Sequence, residues 1–88
     1  MPELRLTRQA RQQLEELPEA IRSAALETLL LIQLEPEKMG KQLVGHMEGL
    51  WATRVGSYSI LFTLESSGVT VRSIRHRGVA YRRGRPRR

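Results

Sequence analysis

Residues 50–88 read LWATRVGSYSILFTLESSGVTVRSIRHRGVAYRRGRPRR, and this stretch decides the fold. Leu50–Val55 and Tyr58–Leu64 are β-type runs joined by Gly56-Ser57, a two-residue connection that suits a tight type II′ hairpin. Because strand side chains alternate, Tyr58, Ile60, Phe62 and Leu64 share one face, and Ser59, Leu61 and Thr63 share the other. The first face is expected to pack on the helices. Glu65-Ser66-Ser67-Gly68 reads as a turn and Val69–Ile74 as a third strand. Val69 and Val71 alternate correctly, but Ile74 is out of phase, so a β-bulge or burial on both faces is expected.

The upstream half reads as scaffold for these strands. Glu3–Leu6 alternates, with Leu4 and Leu6 on one side, and is expected to be an edge strand. Thr7 offers an N-cap. Ala10, Leu14 and Leu17 fall at i, i+4 and i+7 within Arg8–Leu17, the spacing of an amphipathic helix with one buried stripe. Pro18 breaks that helix. Since proline is tolerated in a first helical turn and Glu19 favours the positive end of a helix dipole, a second helix should begin here and run to about Leu34. Its apolar surface is wider than a single stripe, which predicts packing against both the first helix and the sheet. Pro36 closes the helical hairpin, and Lys38–Gly49, with Gly40, Gly45 and Gly49, reads as a connecting loop. The fold class is therefore α+β: an N-terminal edge strand, a helical hairpin, then an antiparallel three-stranded meander, forming a small twisted sheet with helices on one face.

Composition narrows the function. Eighty-eight residues make a single domain with one hydrophobic core. There is no cysteine, which excludes disulfides, Cys-ligated zinc and a thiol nucleophile, and fits a reducing cytosol. The longest unbroken apolar run, Leu29–Ile32, is far short of the roughly 20 residues of a membrane span. The start, MPELRLTRQ, has no apolar core of signal-peptide length, so a cytoplasmic protein with no membrane partner is expected. Two isolated histidines, His46 and His76, and scattered carboxylates give no ligand cluster of usable spacing, so no metal or other cofactor is expected.

Charge is segregated. Residues 1–65 hold nine carboxylates against seven Lys/Arg, a net of −2, whereas residues 66–88 hold eight arginines and no acid, a net of +8. A single-sign block of this density points to a polyanion partner, and the planar donor fork of arginine suits phosphate. Residues 82–88 read as a flexible basic tail. Arg72, Arg75 and Arg77 lie inside patterned structure.

The order strand, helix, helix, loop and three strands, together with LxGxMEGLWxxRVGxYxILF and IRHRGVAYRR, resembles the RelE/ParE superfamily of bacterial type II toxins. The resemblance covers nearly the whole chain. Its most specific parts are the R-V-G-x-Y run from Arg54 to Tyr58 and the H-R-x-x-x-Y run from His76 to Tyr81. It implies two helices on one face of a small sheet and a basic concave site on the other. Members of the RelE branch enter the ribosomal A site and cleave messenger RNA; members of the ParE branch poison DNA gyrase. Both are held inactive by an antitoxin that wraps around them. The resemblance leaves open whether the assembly with antitoxin is a heterotetramer or larger.

The RelE-branch activity is favoured here. Metal-free cleavage by attack of a 2′-OH needs a base for that proton, cations for the phosphorane and an acid for the 5′-oxygen. By resemblance, Arg77 is the late-strand arginine that stabilises phosphate or acts as acid. Tyr81 is the C-terminal tyrosine that stacks on a base or takes part in proton transfer. Arg54 supplies a basic position on the preceding strand. His76 is a candidate proton carrier, because a histidine side chain titrates near neutral pH. Lys41, Arg72, Arg75, Arg82 and Arg83 are candidate RNA and phosphate contacts. Trp51 reads as a strand residue packing at the sheet end, Glu48 as a turn residue and His46 as a loop residue.

One departure stands out. Active RelE-type toxins usually carry an arginine directly after the tyrosine of R-V-G-x-Y, and here that residue is Ser59. A serine cannot supply the charge, so Arg72, Arg75 or Arg54 must cover the gap, or the protein is a weak nuclease, a toxin with another target, or a catalytically degenerate member. Two other classes therefore stay open: a gyrase-directed poison, and an antitoxin-binding or nucleic-acid-binding module without activity.

Overall fold

The computed structural model describes residues 3–43 and 49–76. Along the chain these form β1 (Glu3–Leu6), α1 (Arg8–Glu15), α2 (Glu19–Leu34), a one-turn α3 (Pro36–Met39), β2 (Lys41–Gln42), β3 (Trp51–Val55), β4 (Tyr58–Glu65) and β5 (Gly68–His76). The strands make one five-stranded sheet in the order β1-β5-β4-β3-β2. The last three strands form the expected antiparallel meander, and β1 lies at the edge, parallel to β5. The α+β class and the helical hairpin stand as read from the sequence.

Local chemistry explains the boundaries. The Thr7 hydroxyl accepts from the Ala10 amide at 3.0 Å and so caps α1. Pro18 precedes α2, and Glu19 sits in its first turn. Val55 pairs with Tyr58 across Gly56-Ser57, and Gly56 takes φ +59° while Ser57 does not enter the positive region, the signature of a II′ turn.

Part of the stretch expected to be a loop from Lys38 forms regular structure. Pro36 opens α3, since its fixed φ suits a first helical turn, and the chain then enters β2 on the outer edge of β3. A two-residue polar strand is too short for periodicity to reveal.

The core lies between the helices and one face of the sheet. Ala10 and Leu17 from the first helical segment and Ala25, Leu29 and Ile32 from α2 pack against Ile60, Phe62, Val69, Val71 and Ile74. Trp51 stacks on Phe62 with ring centroids 6.3 Å apart, so it is a packing residue. The wide apolar surface of α2 is only half used. Leu26, Leu30, Leu31 and Leu34 are 47–59% exposed. At eight residues, α1 is about 12 Å long and cannot cover a second side of the sixteen-residue α2.

A bulge in β5 decides what the far face presents. Phe62 pairs with Val71, but Leu61 pairs with Ser73, so Arg72 is an extra residue. Continued without it, the register would set Arg75 against Tyr58 on the helix side and Ile74 against Ser59 on the open side. The extra residue returns Ile74 to the core and turns Arg75 to the opposite face, which accounts for the broken alternation in the sequence. The bulge is held from the edge, past the end of β1. The Thr7 amide donates to the Val71 carbonyl at 3.1 Å, the Thr7 hydroxyl donates to the Arg72 carbonyl at 3.0 Å, and the Ile74 amide donates to Gln13 Oε1 at 2.7 Å. Backbone groups that β1 cannot reach are thereby satisfied.

Candidate nucleic-acid interface

The face away from the helices carries a row of three residues across three strands: Arg54 of β3, Ser59 of β4 and Arg75 of β5. Register fixes this row from the turn. In a two-residue hairpin the closing pair, Val55 and Tyr58, exchanges backbone hydrogen bonds, so the next pair, Arg54 and Ser59, is non-hydrogen-bonded. Cα atoms in such a pair lie about 4.5 Å apart, and the next pair, Ser59 with Arg75, about 5.5 Å apart. Two long guanidinium-bearing side chains thus flank one short hydroxyl.

The neighbouring row on this face is Lys41, Ala52, Leu61 and Ser73. Lys41 is therefore not a loop residue at the rim; β2 sets it beside Ala52, two residues along β3 from Arg54. Among the described residues, no carboxylate lies within ion-pair distance of Lys41, Arg54 or Arg75, whereas the other end of the sheet is neutralised. There Glu65 meets Arg72 at 3.6 Å and Arg5 at 3.9 Å, and accepts from the Thr70 hydroxyl at 2.8 Å.

Arg72 consequently belongs to the bulge and its ion pairs, and does not join the Arg54–Ser59–Arg75 row. His76 also lies apart. It pairs with Tyr58, and the two rings meet edge to face with centroids 5.2 Å apart, on the helix side of β5. Alternation therefore sends Arg75 and His76 to opposite faces. Arg77, Tyr81, Arg82 and Arg83 lie outside the described residues, as do His46, Glu48 and the 82–88 tail.

A family model described as the ParE toxin of type II toxin–antitoxin systems (parDE) matches residues 4–81. The chain belongs to this family. Within the same RelE/ParE superfamily, it is 34% identical over 83 residues to Toxin RelG of Mycobacterium tuberculosis, covering 91% of this chain and 95% of that one. Among solved structures it resembles the toxin–antitoxin complex RelBE2 from M. tuberculosis at 30% identity and a TM-score of 0.79, covering 88% of this chain and 100% of that one. The RelB–RelE antitoxin–toxin complex from Methanococcus jannaschii shares the fold at 18% identity and a TM-score of 0.74, covering 91% of this chain and 98% of that one.

On the ParE-family fold, the individual basic residues are legible in the sequence but their grouping is not. Arg54 and Arg75 emerge as partners because each is opposite Ser59, the residue singled out as a loss of charge. The signal for one half was present: counting back from Gly56-Ser57 gives Arg54 opposite Ser59. The other half depends on where the bulge falls, which alternation alone places only within Val71–Ile74. Thr7 and Gln13, which set the bulge, carry no sequence signal beyond the capping preference of threonine.

Proposed function

We propose that this protein is the toxin of a type II toxin–antitoxin pair that cleaves messenger RNA on the ribosome. The observation that carries the reading is the acid-free row of Arg54, Ser59 and Arg75 on the face away from the helices. Its geometry suits a phosphodiester: the two guanidinium groups approach the non-bridging oxygens from either side and the Ser59 hydroxyl donates from below. In the cleavage step the 2′-oxygen attacks phosphorus, the 5′-oxygen leaves, and a 2′,3′-cyclic phosphate and a 5′-hydroxyl result. The arginines stabilise the charge that accumulates on the phosphorane. Proton transfer falls to Arg77 and Tyr81 of the H-R-x-x-x-Y run, since His76 lies on the opposite face of the sheet from the row. Stacking on a base is the second role open to Tyr81.

The partner that restrains this activity is a cognate antitoxin. The relatives of known structure named above were solved with antitoxins, and α2 offers Leu26, Leu30 and Leu34 at i, i+4 and i+8 as an exposed apolar stripe suited to an amphipathic antitoxin helix.

A second reading keeps the toxin and changes the target to DNA gyrase. Ser59 favours it, because losing one preorganised cation from a phosphoryl transition state costs about 3 kcal/mol, or some hundredfold in rate. Expression in a bacterial host tests both readings. Wild type should arrest growth with falling protein synthesis, co-expressed antitoxin should relieve the arrest, and Arg77→Ala should abolish it with the fold retained. Arrest with intact translation and blocked supercoiling would move the target to gyrase.

A further inference from the structure

At the Lys41 end of β2 the sheet edge opens into a depression of about 690 Å³, lined by Lys38, Met39, Gly40, Lys41, Leu43, Ala52, Thr53, Arg54 and Ser59. The gap has a structural origin. β2 pairs only with Trp51 and Ala52, so among the described residues no strand lies on the outer edge of β3 from Thr53 to Val55, while β4 pairs with its inner edge. In the hairpin register set by Val55 and Tyr58, the backbone amide and carbonyl of Arg54 point to this uncovered edge. Gly40 shapes the wall. A Cβ there would come within 2.8 Å of the Ala52 carbonyl oxygen, so only glycine lets the turn from α3 into β2 approach β3 this closely.

The lining combines cationic and apolar side chains. Lys38, Lys41 and Arg54 contribute three positive charges, Ser59 a hydroxyl, and Met39, Leu43 and Ala52 the apolar surface. Lys38 meets Glu35 at 3.8 Å, an exposed pair of little strength. The volume falls in the range of small-ligand sites. Arg54 and Ser59 belong both to this depression and to the row with Arg75, so the two are continuous.

We propose that this depression is a second nucleotide subsite, which takes the phosphate and base of the residue adjoining the phosphodiester held between Arg54 and Arg75. The phosphate sits against Lys38, Lys41 and the Arg54 amide, and the base lies against Met39, Leu43 and Ala52. Single-stranded RNA then runs from β5 to the β2 edge, crossing the sheet over Ser59. This rests on the ribonuclease reading above and adds to it the path of the strand and a role for Lys41 that is independent of the chemical step.

The test is binding of the full-length protein to a labelled hexauridylate carrying 2′-O-methyl groups, which block attack, measured by fluorescence anisotropy from 50 to 300 mM salt. Lys41→Ala sits on an exposed two-residue strand and should leave the circular dichroism and melting temperature unchanged. One lost phosphate contact reduces the slope of log affinity against log salt by about 0.7 for single strands, which is about fivefold in affinity at 0.1 M. Lys38→Ala should act in the same direction. Arg5→Ala, at the opposite edge of the sheet, removes the same charge and should change neither quantity by as much as half of that.

If Arg54→Ala and Arg75→Ala weaken binding while Lys41→Ala behaves like Arg5→Ala, the subsite is wrong and the ribonuclease reading stands. If Arg54→Ala, Arg75→Ala and Lys41→Ala all behave like Arg5→Ala, the RNA reading itself falls, and the subsite with it.

Discussion

Thr7 joins the fold to the candidate site, and Thr7→Ala measures that link. Its hydroxyl accepts from the Ala10 amide at 3.0 Å, capping α1, and donates to the Arg72 carbonyl at 3.0 Å, anchoring the bulge. Loss of the cap costs about 1 kcal/mol. Loss of the second, exposed hydrogen bond adds about 0.5 kcal/mol, the low end for a net hydrogen bond. Thr7→Ala should therefore destabilise by about 1.5 kcal/mol, and since 1 kcal/mol moves the midpoint of a domain this size by about 4–8 °C, Tm should drop by about 6–12 °C. Urea denaturation at an unchanged m-value is the assay. Thr7→Ser keeps the hydroxyl and should stay within about 0.5 kcal/mol of wild type. A Thr7→Ala protein as stable as wild type, or a Thr7→Ser protein as weak as Thr7→Ala, would refute the argument that this hydroxyl holds the bulge.

Two further outcomes follow from burial and ion pairing. Phe62 is fully buried and stacked on Trp51, so Phe62→Ala should cost about 3–5 kcal/mol, a large share of the total stability of such a domain, and should appear as loss of cooperative melting or a large drop in Tm. Arg72 is tied to Glu65 at 3.6 Å and Arg75 is aligned with Ser59, so Arg72→Ala should keep most of the cleavage rate under single-turnover conditions, whereas Arg75→Ala should lose about a hundredfold.

Much of the fold was legible because its signals are local. Thr7, Pro18 and Glu19 mark helix starts through capping and dipole chemistry, and Gly56-Ser57 marks a turn whose geometry only certain residues adopt. The misphased Ile74 announced a bulge. What the sequence withheld depends on tertiary context. The exposure of Leu30 and Leu34 depends on the length of α1, and the short β2 exists because β3 offers it an edge. Arg75 shows the same limit at the site. Its face is decided by one extra residue held in place by Thr7 and Gln13, some sixty positions earlier in the chain. The neutralisation of Arg72 by Glu65 is likewise a product of strand pairing across the Ser66-Ser67 turn and the bulge.

Ribosome-dependent cleavage at the Arg54–Ser59–Arg75 row is the central claim, and primer extension on a translated messenger RNA tests it most directly. Purified protein is added to a reconstituted translation system beside Arg75→Ala and Ser59→Arg. Cuts at codon positions that require the ribosome, fade in Arg75→Ala and persist or strengthen in Ser59→Arg are the expected result. An uncut message with wild-type protein, or cuts undiminished in Arg75→Ala, would contradict it.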